Sequence, residues 1–99
     1  MSTAGTYPVG VKPLGYEQVT VSSTALGLTV PAGAERAVFG VEAQPLRYTT
    51  DGTIPTASLG FLVKADVSFE IYGSKALRDF LAIKDDATDA ILNVNYYGS

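Results

Sequence analysis

The chain has 99 residues, 46% of them hydrophobic, with seven basic and ten acidic side chains and a formal net charge of −3. That length fits one domain, and the apolar fraction excludes a chain disordered throughout. It contains no cysteine and no histidine, which removes disulfides, thiolate chemistry, the usual general base near neutral pH and the usual nitrogen ligand of zinc.

Residues 1–14 read as an extended N-terminal arm. Gly5, Pro8, Gly10 and Pro13 break any period, and Lys12 is the only charge. Such a segment cannot bury enough apolar surface to order itself. It is expected to dock, either along its own domain as an edge strand or on a neighbour. Residues 15–99 are expected to form the single folded domain.

Residues 15–21 are β-prone through Tyr16, Val19 and Val21 and predict the first strand. Residues 25–30 place Leu26, Leu28 and Val30 at period two, with Gly27 weakening the run. Pro31, Ala32 and Gly33 turn the chain. Residues 35–43 give the clearest strand, with Ala37, Phe39 and Val41 on one face and Arg36, Val38, Gly40 and Glu42 on the other. Residues 46–49 start a short strand that leads into a polar loop, residues 47–56. There Asp51-Gly52 is a strong turn dipeptide, and Pro55 pushes Ile54 toward an extended shape. Thr49, Thr50, Thr53 and Thr56 supply hydroxyls that can tie the loop to itself. Arg47 is expected either to anchor Asp51 across the loop or to act outward.

Residues 59–64 are an apolar run around Gly60, a sign of a bulge or close backbone approach. Residues 67–72 alternate, with Val67, Phe69 and Ile71 expected inward. Residues 74–79 fit one short helical turn with Ser74 as N-cap. Residues 80–84 predict a strand, with Phe80, Ala82 and Lys84 opposite Leu81 and Ile83. After the acidic turn at 85–89, residues 90–97 close the chain, with Ala90, Leu92, Val94 and Tyr96 on one face. About seven or eight short strands, separated by turn signals, predict an all-β fold: a compact antiparallel β-sandwich or small barrel carrying the arm.

Little in this pattern points to catalysis. Without His or Cys, a hydroxyl nucleophile needs Lys or a carboxylate as its base. Ser74-Lys75 lacks the separation of a Ser-x-x-Lys pair. Asp85, Asp86 and Asp89 lack the alternation and the glycine of a calcium loop and read as a solvated turn. The seven cations are scattered among acids, whereas a nucleic-acid binder needs a concentrated basic face. No apolar run approaches the roughly 18–20 residues of a membrane helix, and the N-terminus shows no basic region followed by a hydrophobic core. The expectation is therefore no enzyme, no cofactor, no metal, no nucleic acid and no membrane. Tyrosine suits interfaces, so a carbohydrate- or protein-binding groove lined by Tyr48, Tyr72 or Tyr97 is a further possibility.

Three motifs carry a resemblance. They are Pro45-x-Arg47-Tyr48-x-x-Asp51-Gly52-Thr53-x-Pro55-Thr56-x-x-x-Gly60, then Phe80-x-Ala82-Ile83, then Asp89-Ala90-x-Leu92-Asn93-Val94-x-Tyr96. Over residues 16–97 the chain resembles small virion structural proteins of tailed bacteriophages. The resemblance implies a compact β-domain built into the phage particle, assembled in the cytoplasm of a bacterial host, with no catalytic residues to carry over. It implies a capsid decoration or cement protein that bridges major capsid protein subunits, with a neck or tail component as the alternative. The implied partners are the major capsid protein or other virion proteins, and further copies of the chain in a homo-oligomer. The residues expected to make those contacts are Tyr7, Pro8, Val11 and Pro13 of the arm, and Arg47, Tyr48, Asp51, Thr53 and Pro55 of the loop.

Overall fold

The computed structural model of the chain describes residues 11–99. Within them the elements run β1 (Lys12–Val21), β2 (Ala34–Glu42), β3 (Leu46–Thr49), β4 (Phe61–Val63), β5 (Ser68–Tyr72), α1 (Ser74–Asp79), β6 (Leu81–Lys84) and β7 (Ala90–Gly98). The strands make two antiparallel sheets, ordered β1-β7-β2-β5 and β4-β3-β6. The predicted all-β architecture is the observed one.

Period-two alternation builds the core. Ala37, Phe39 and Val41 of β2 are buried, as are Ala90, Leu92, Val94 and Tyr96 of β7. The register aligns them, with Phe39 opposite Val94 on one side and opposite Phe69 of β5 on the other. An aromatic layer then joins the two sheets. Phe39 stacks on Phe69 at 4.8 Å and on Phe80 at 5.1 Å. Tyr48 of β3 stacks on the same two rings from the facing sheet, at 4.9 and 5.5 Å. Each buried ring removes enough apolar area to stabilise by roughly 1.5–3 kcal/mol, and each stacked pair adds about 0.5–1.5 kcal/mol.

Two of the chain's four changes of sheet occur at neighbouring left-handed turns. Ala43 has φ 73, and Gln44 N–H donates to the Glu42 carbonyl at 2.9 Å, a tight γ-turn between β2 and β3. Asp66, with φ 68, turns the chain from β4 to β5, and its N–H donates to the Val41 carbonyl at 2.7 Å. Helix α1 returns the chain to the second sheet and buries Leu77.

Four local expectations need correction. Lys12, Pro13 and Leu14 are not arm but the start of β1, paired with β7 through Lys12↔Gly98 and Pro13↔Tyr97. Pro13 is tolerated there because β1 is an edge strand and a bulge falls between Pro13 and Gly15. Residues 25–30 form only an isolated bridge, Leu26↔Ala82. Gly27 sits so close that a Cβ on it would meet the Phe80 carbonyl at 3.2 Å, and the Thr29 N–H is taken by the Glu17 carboxylate at 2.9 Å. Val67 is exposed, because the left-handed turn at Asp66 breaks the alternation before β5 begins. The N-cap of α1 is Gly73 at φ 106, not Ser74, and no side chain caps it. The Gly73 N–H is committed to the Glu35 carbonyl at 2.6 Å.

Candidate functional site

The polar loop that links β3 to β4 ties itself together, as its threonines suggest. The Thr53 N–H donates to Asp51 Oδ1 at 3.0 Å, closing an Asx turn, and the Thr49 hydroxyl donates to the Thr53 carbonyl. Gly52 takes φ 85, as that turn requires. Thr56 and Leu59 exchange backbone hydrogen bonds, and Pro55 is fully buried. The Thr53 hydroxyl and N–H hold the Asp51 carboxyl below the usual carboxylate range.

This closed loop leaves apolar side chains standing in solvent. Ile54 is 66% exposed, Phe61 67%, Leu59 50% and Leu62 45%. Two of them, Leu59 and Phe61, line an open cleft of about 410 Å³ together with Thr49, Thr50, Asp51, Thr53 and Gly60. Gly60 adopts φ 122, and a Cβ there would meet the Tyr48 carbonyl at 3.2 Å and the Cβ atoms of Arg47 and Pro55 at 3.3 Å. The close approach predicted from sequence at this glycine is present. Phe61 and Leu62 also belong to β4, the outermost strand of its sheet, paired on one side with β3. An outer strand carrying exposed apolar side chains is a surface for pairing or docking.

The predicted contact residues are distributed unevenly. Tyr7 and Pro8 lie outside the described residues. Val11 is half-buried just before β1, and Pro13 is exposed within it. Arg47 neither anchors Asp51 nor points freely outward. Its Nε donates to Asp85 Oδ1 at 2.8 Å, and its guanidinium also donates to the Gly60 carbonyl at 3.0 Å. Tyr48 stacks between the sheets, and burial raises its phenol pKa. Only Asp51 and Thr53 border the cleft, with Pro55 buried behind them. Tyr72 and Tyr97 lie elsewhere, on the outward face of the first sheet, where the Arg36 guanidinium stands 4.4 Å from the Tyr97 ring centre. Tyr48 therefore shares no groove with them. Ile54, Leu59, Phe61 and Leu62 are exposed residues that the predicted contacts did not include; for the last three the apolar run around Gly60 was the only signal.

The cleft offers apolar surface and hydroxyls. Around the cleft the acid is Asp51, with hydroxyls beside it and no cationic or imidazole base. Two of the three acids of the turn are ion-paired, Asp85 with Arg47 and Asp89, at 3.4 Å, with Lys84. Among the described residues no three His, Cys, Asp or Glu side chains gather in a metal-binding group, and no helix is long and apolar enough to cross a membrane. Comparison with protein-family models, with curated proteins and with solved structures finds no match to this chain.

Proposed function

We propose that this chain is a structural component of a tailed-phage virion, a decoration or cement protein that bridges major capsid protein subunits. One observation supports it most: the exposed side chains Ile54, Leu59, Phe61 and Leu62 sit on one loop and outer strand that are internally hydrogen-bonded, with Leu59 and Phe61 on the same cleft. A backbone held in place before contact loses little entropy on docking, so a small surface binds well when many copies repeat it. The neighbour covers the apolar patch, β4 offers its unpaired side for strand addition, and Asp51 and Thr53 supply polar contacts at the rim. Symmetric self-association of the chain belongs to the same reading. The phage setting rests on the sequence resemblance over residues 16–97; the exposed apolar side chains and the outer strand are what supports a docking role.

Quantitative mass spectrometry of purified particles made by the genome that encodes this chain tests the assignment. A copy number matching the shell subunits is expected. A count sized to a single ring moves the chain to the alternative station, neck or tail, and its absence from particles overturns the reading. Ile54→Asp combined with Leu62→Glu is expected to abolish incorporation while leaving the fold intact. Deleting residues 2–14 also removes the first three residues of β1, so a deletion of residues 2–10 is the cleaner test of the arm.

A further inference from the structure

The outward face of the first sheet, turned away from the second sheet, has an unusual composition. The strand registers lay its side chains out in rows. Tyr97, Arg36 and Tyr72 form one row across β7, β2 and β5. Tyr16, Asn95, Val38 and Glu70 form the next, from β1 to β5, and Gln18, Asn93, Gly40 and Ser68 the third. A sheet face that merely meets water is commonly lysine, glutamate and threonine. This one has no lysine in these rows and carries three tyrosines, two asparagines and a glutamine.

Its polar groups are also linked to one another. Asn93 Oδ1 accepts from the Tyr16 hydroxyl and from Gln18 Nε2, the latter at 3.1 Å, while Asn93 Nδ2 donates to Glu42. At the other end the Arg36 guanidinium and the Tyr72 hydroxyl both donate to Glu70 Oε1 at 3.0 Å. Asn95 Nδ2 donates to the Tyr97 hydroxyl at 2.8 Å. Between these two clusters the floor drops to Val38 and Gly40, and a Cβ added at Gly40 would meet nothing within 4 Å. Tyr16 and Tyr72 stand on either side of this shallow trough, 61% and 69% exposed.

We propose that this trough binds a neutral oligosaccharide. Flat apolar ring faces beside fixed amide and carboxylate groups match the CH faces and hydroxyls of sugar rings. The amides and carboxylate are held by their neighbours but keep unused donor and acceptor positions, so little entropy is lost on binding. Three strand spacings of about 4.8 Å separate β1 from β5, a span that takes a short chain of sugars and not a single ring. Charge decides against other ligands. The one cation in these rows, Arg36, is ion-paired with Glu70, and Glu42 adds a second carboxylate, so phosphates and anionic glycans are repelled. A polypeptide strand finds no backbone partners across the middle of the face, because the ladders of β2 and β7 are occupied on both sides and only the edges of β1 and β5 are open. The trough lies apart from the docking patch, and its sugar binding does not depend on the virion assignment.

The test is a glycan array of neutral and sialylated glycans, followed by amide-shift titration with the best neutral oligosaccharide. Binding to neutral glycans is expected, with shifts on β1, β2, β5 and β7. Tyr16→Ala and Tyr72→Ala are each expected to weaken binding about tenfold, the loss of one well-placed contact, with unchanged melting because both side chains are exposed. Gly40→Val fills the floor and is expected to block binding, while Ile54→Asp leaves it unchanged. An array with no neutral ligand, a preference for sialylated glycans, or full binding by the Tyr16→Ala/Tyr72→Ala double variant overturns the proposal.

Discussion

Arg47 and Asp85 meet at 2.8 Å across 38 residues of chain, and this pair ties the start of the polar loop to the far end of β6. Both side chains are 22% exposed, and the same guanidinium also donates to the Gly60 carbonyl. One planar group therefore fastens both the acidic turn and the floor of the cleft. Arg47→Ala is expected to cost about 1.5–3 kcal/mol, the range for charged hydrogen bonds partly withdrawn from water. Arg47→Lys is expected to recover little, since an ammonium cannot satisfy two partners set by a fork. Urea unfolding of the two single alanine variants and the double variant measures the coupling, expected at about 0.5–3 kcal/mol. Additive losses would show that the pair does not act as a unit.

Ala43 offers a gain in stability. Its φ of 73 belongs to the left-handed region, where a Cβ costs about 1–2 kcal/mol. Glycine removes that cost but adds roughly 0.5–1 kcal/mol of unfolded-chain entropy. Ala43→Gly is therefore expected to stabilise by up to about 1 kcal/mol, read as a higher urea midpoint at unchanged slope. A lower midpoint would mean that the γ-turn carries no strain.

Gly60 and Gly40 give opposite expectations from the same substitution. At Gly60 an alanine meets the Tyr48 carbonyl and two Cβ atoms at 3.2–3.3 Å with φ 122. Gly60→Ala is expected to cost about 1–3 kcal/mol and to displace amide resonances around the cleft. At Gly40 the added methyl finds open space on a regular strand. Gly40→Ala is expected to be neutral or mildly stabilising, by up to about 0.5–1 kcal/mol. Equal effects at the two sites, measured by thermal unfolding, would contradict this reading of the backbone.

How legible this fold was in its sequence depended on what sets each element. β2 and β7 were readable because period-two alternation records a buried face, and Ala37, Phe39, Leu92 and Val94 all point inward as expected. The arm boundary was misread because Pro13 signals a break locally, while edge position and a bulge let it join β1. The partner of Arg47 was not readable at all. Asp51 and Asp85 are equally good carboxylates, and only the pairing of β3 with β6 brings Asp85 close. The exposed patch was hidden for a related reason: an apolar run on a sheet that ends at β4 looks like one that is covered. The ordered outward face of the first sheet was unreadable because its rows join residues from four strands.

Tyr96 predicts how the fold responds to alkali. It is 2% exposed, and its hydroxyl donates to the Glu17 carboxylate. Burial first, and that carboxylate second, raise its pKa well above the ordinary tyrosine value of about 10. Below about pH 10 the folded and unfolded chains both keep the phenolic proton, so the stabilisation is fully present. Above it the unfolded chain ionises while the folded one does not, and stability falls by up to about 1.4 kcal/mol per pH unit. Tyr96→Phe removes the titrating group, at the expense of the hydrogen bond to Glu17, and is expected to flatten this slope. Tyr48, also raised by burial, contributes in the same direction, so Tyr48→Phe serves as the comparison. Unfolding free energies measured from about pH 9 to about pH 11 carry the test. Parallel curves for the parent chain and Tyr96→Phe would show that Tyr96 ionises in the fold as readily as it does outside it.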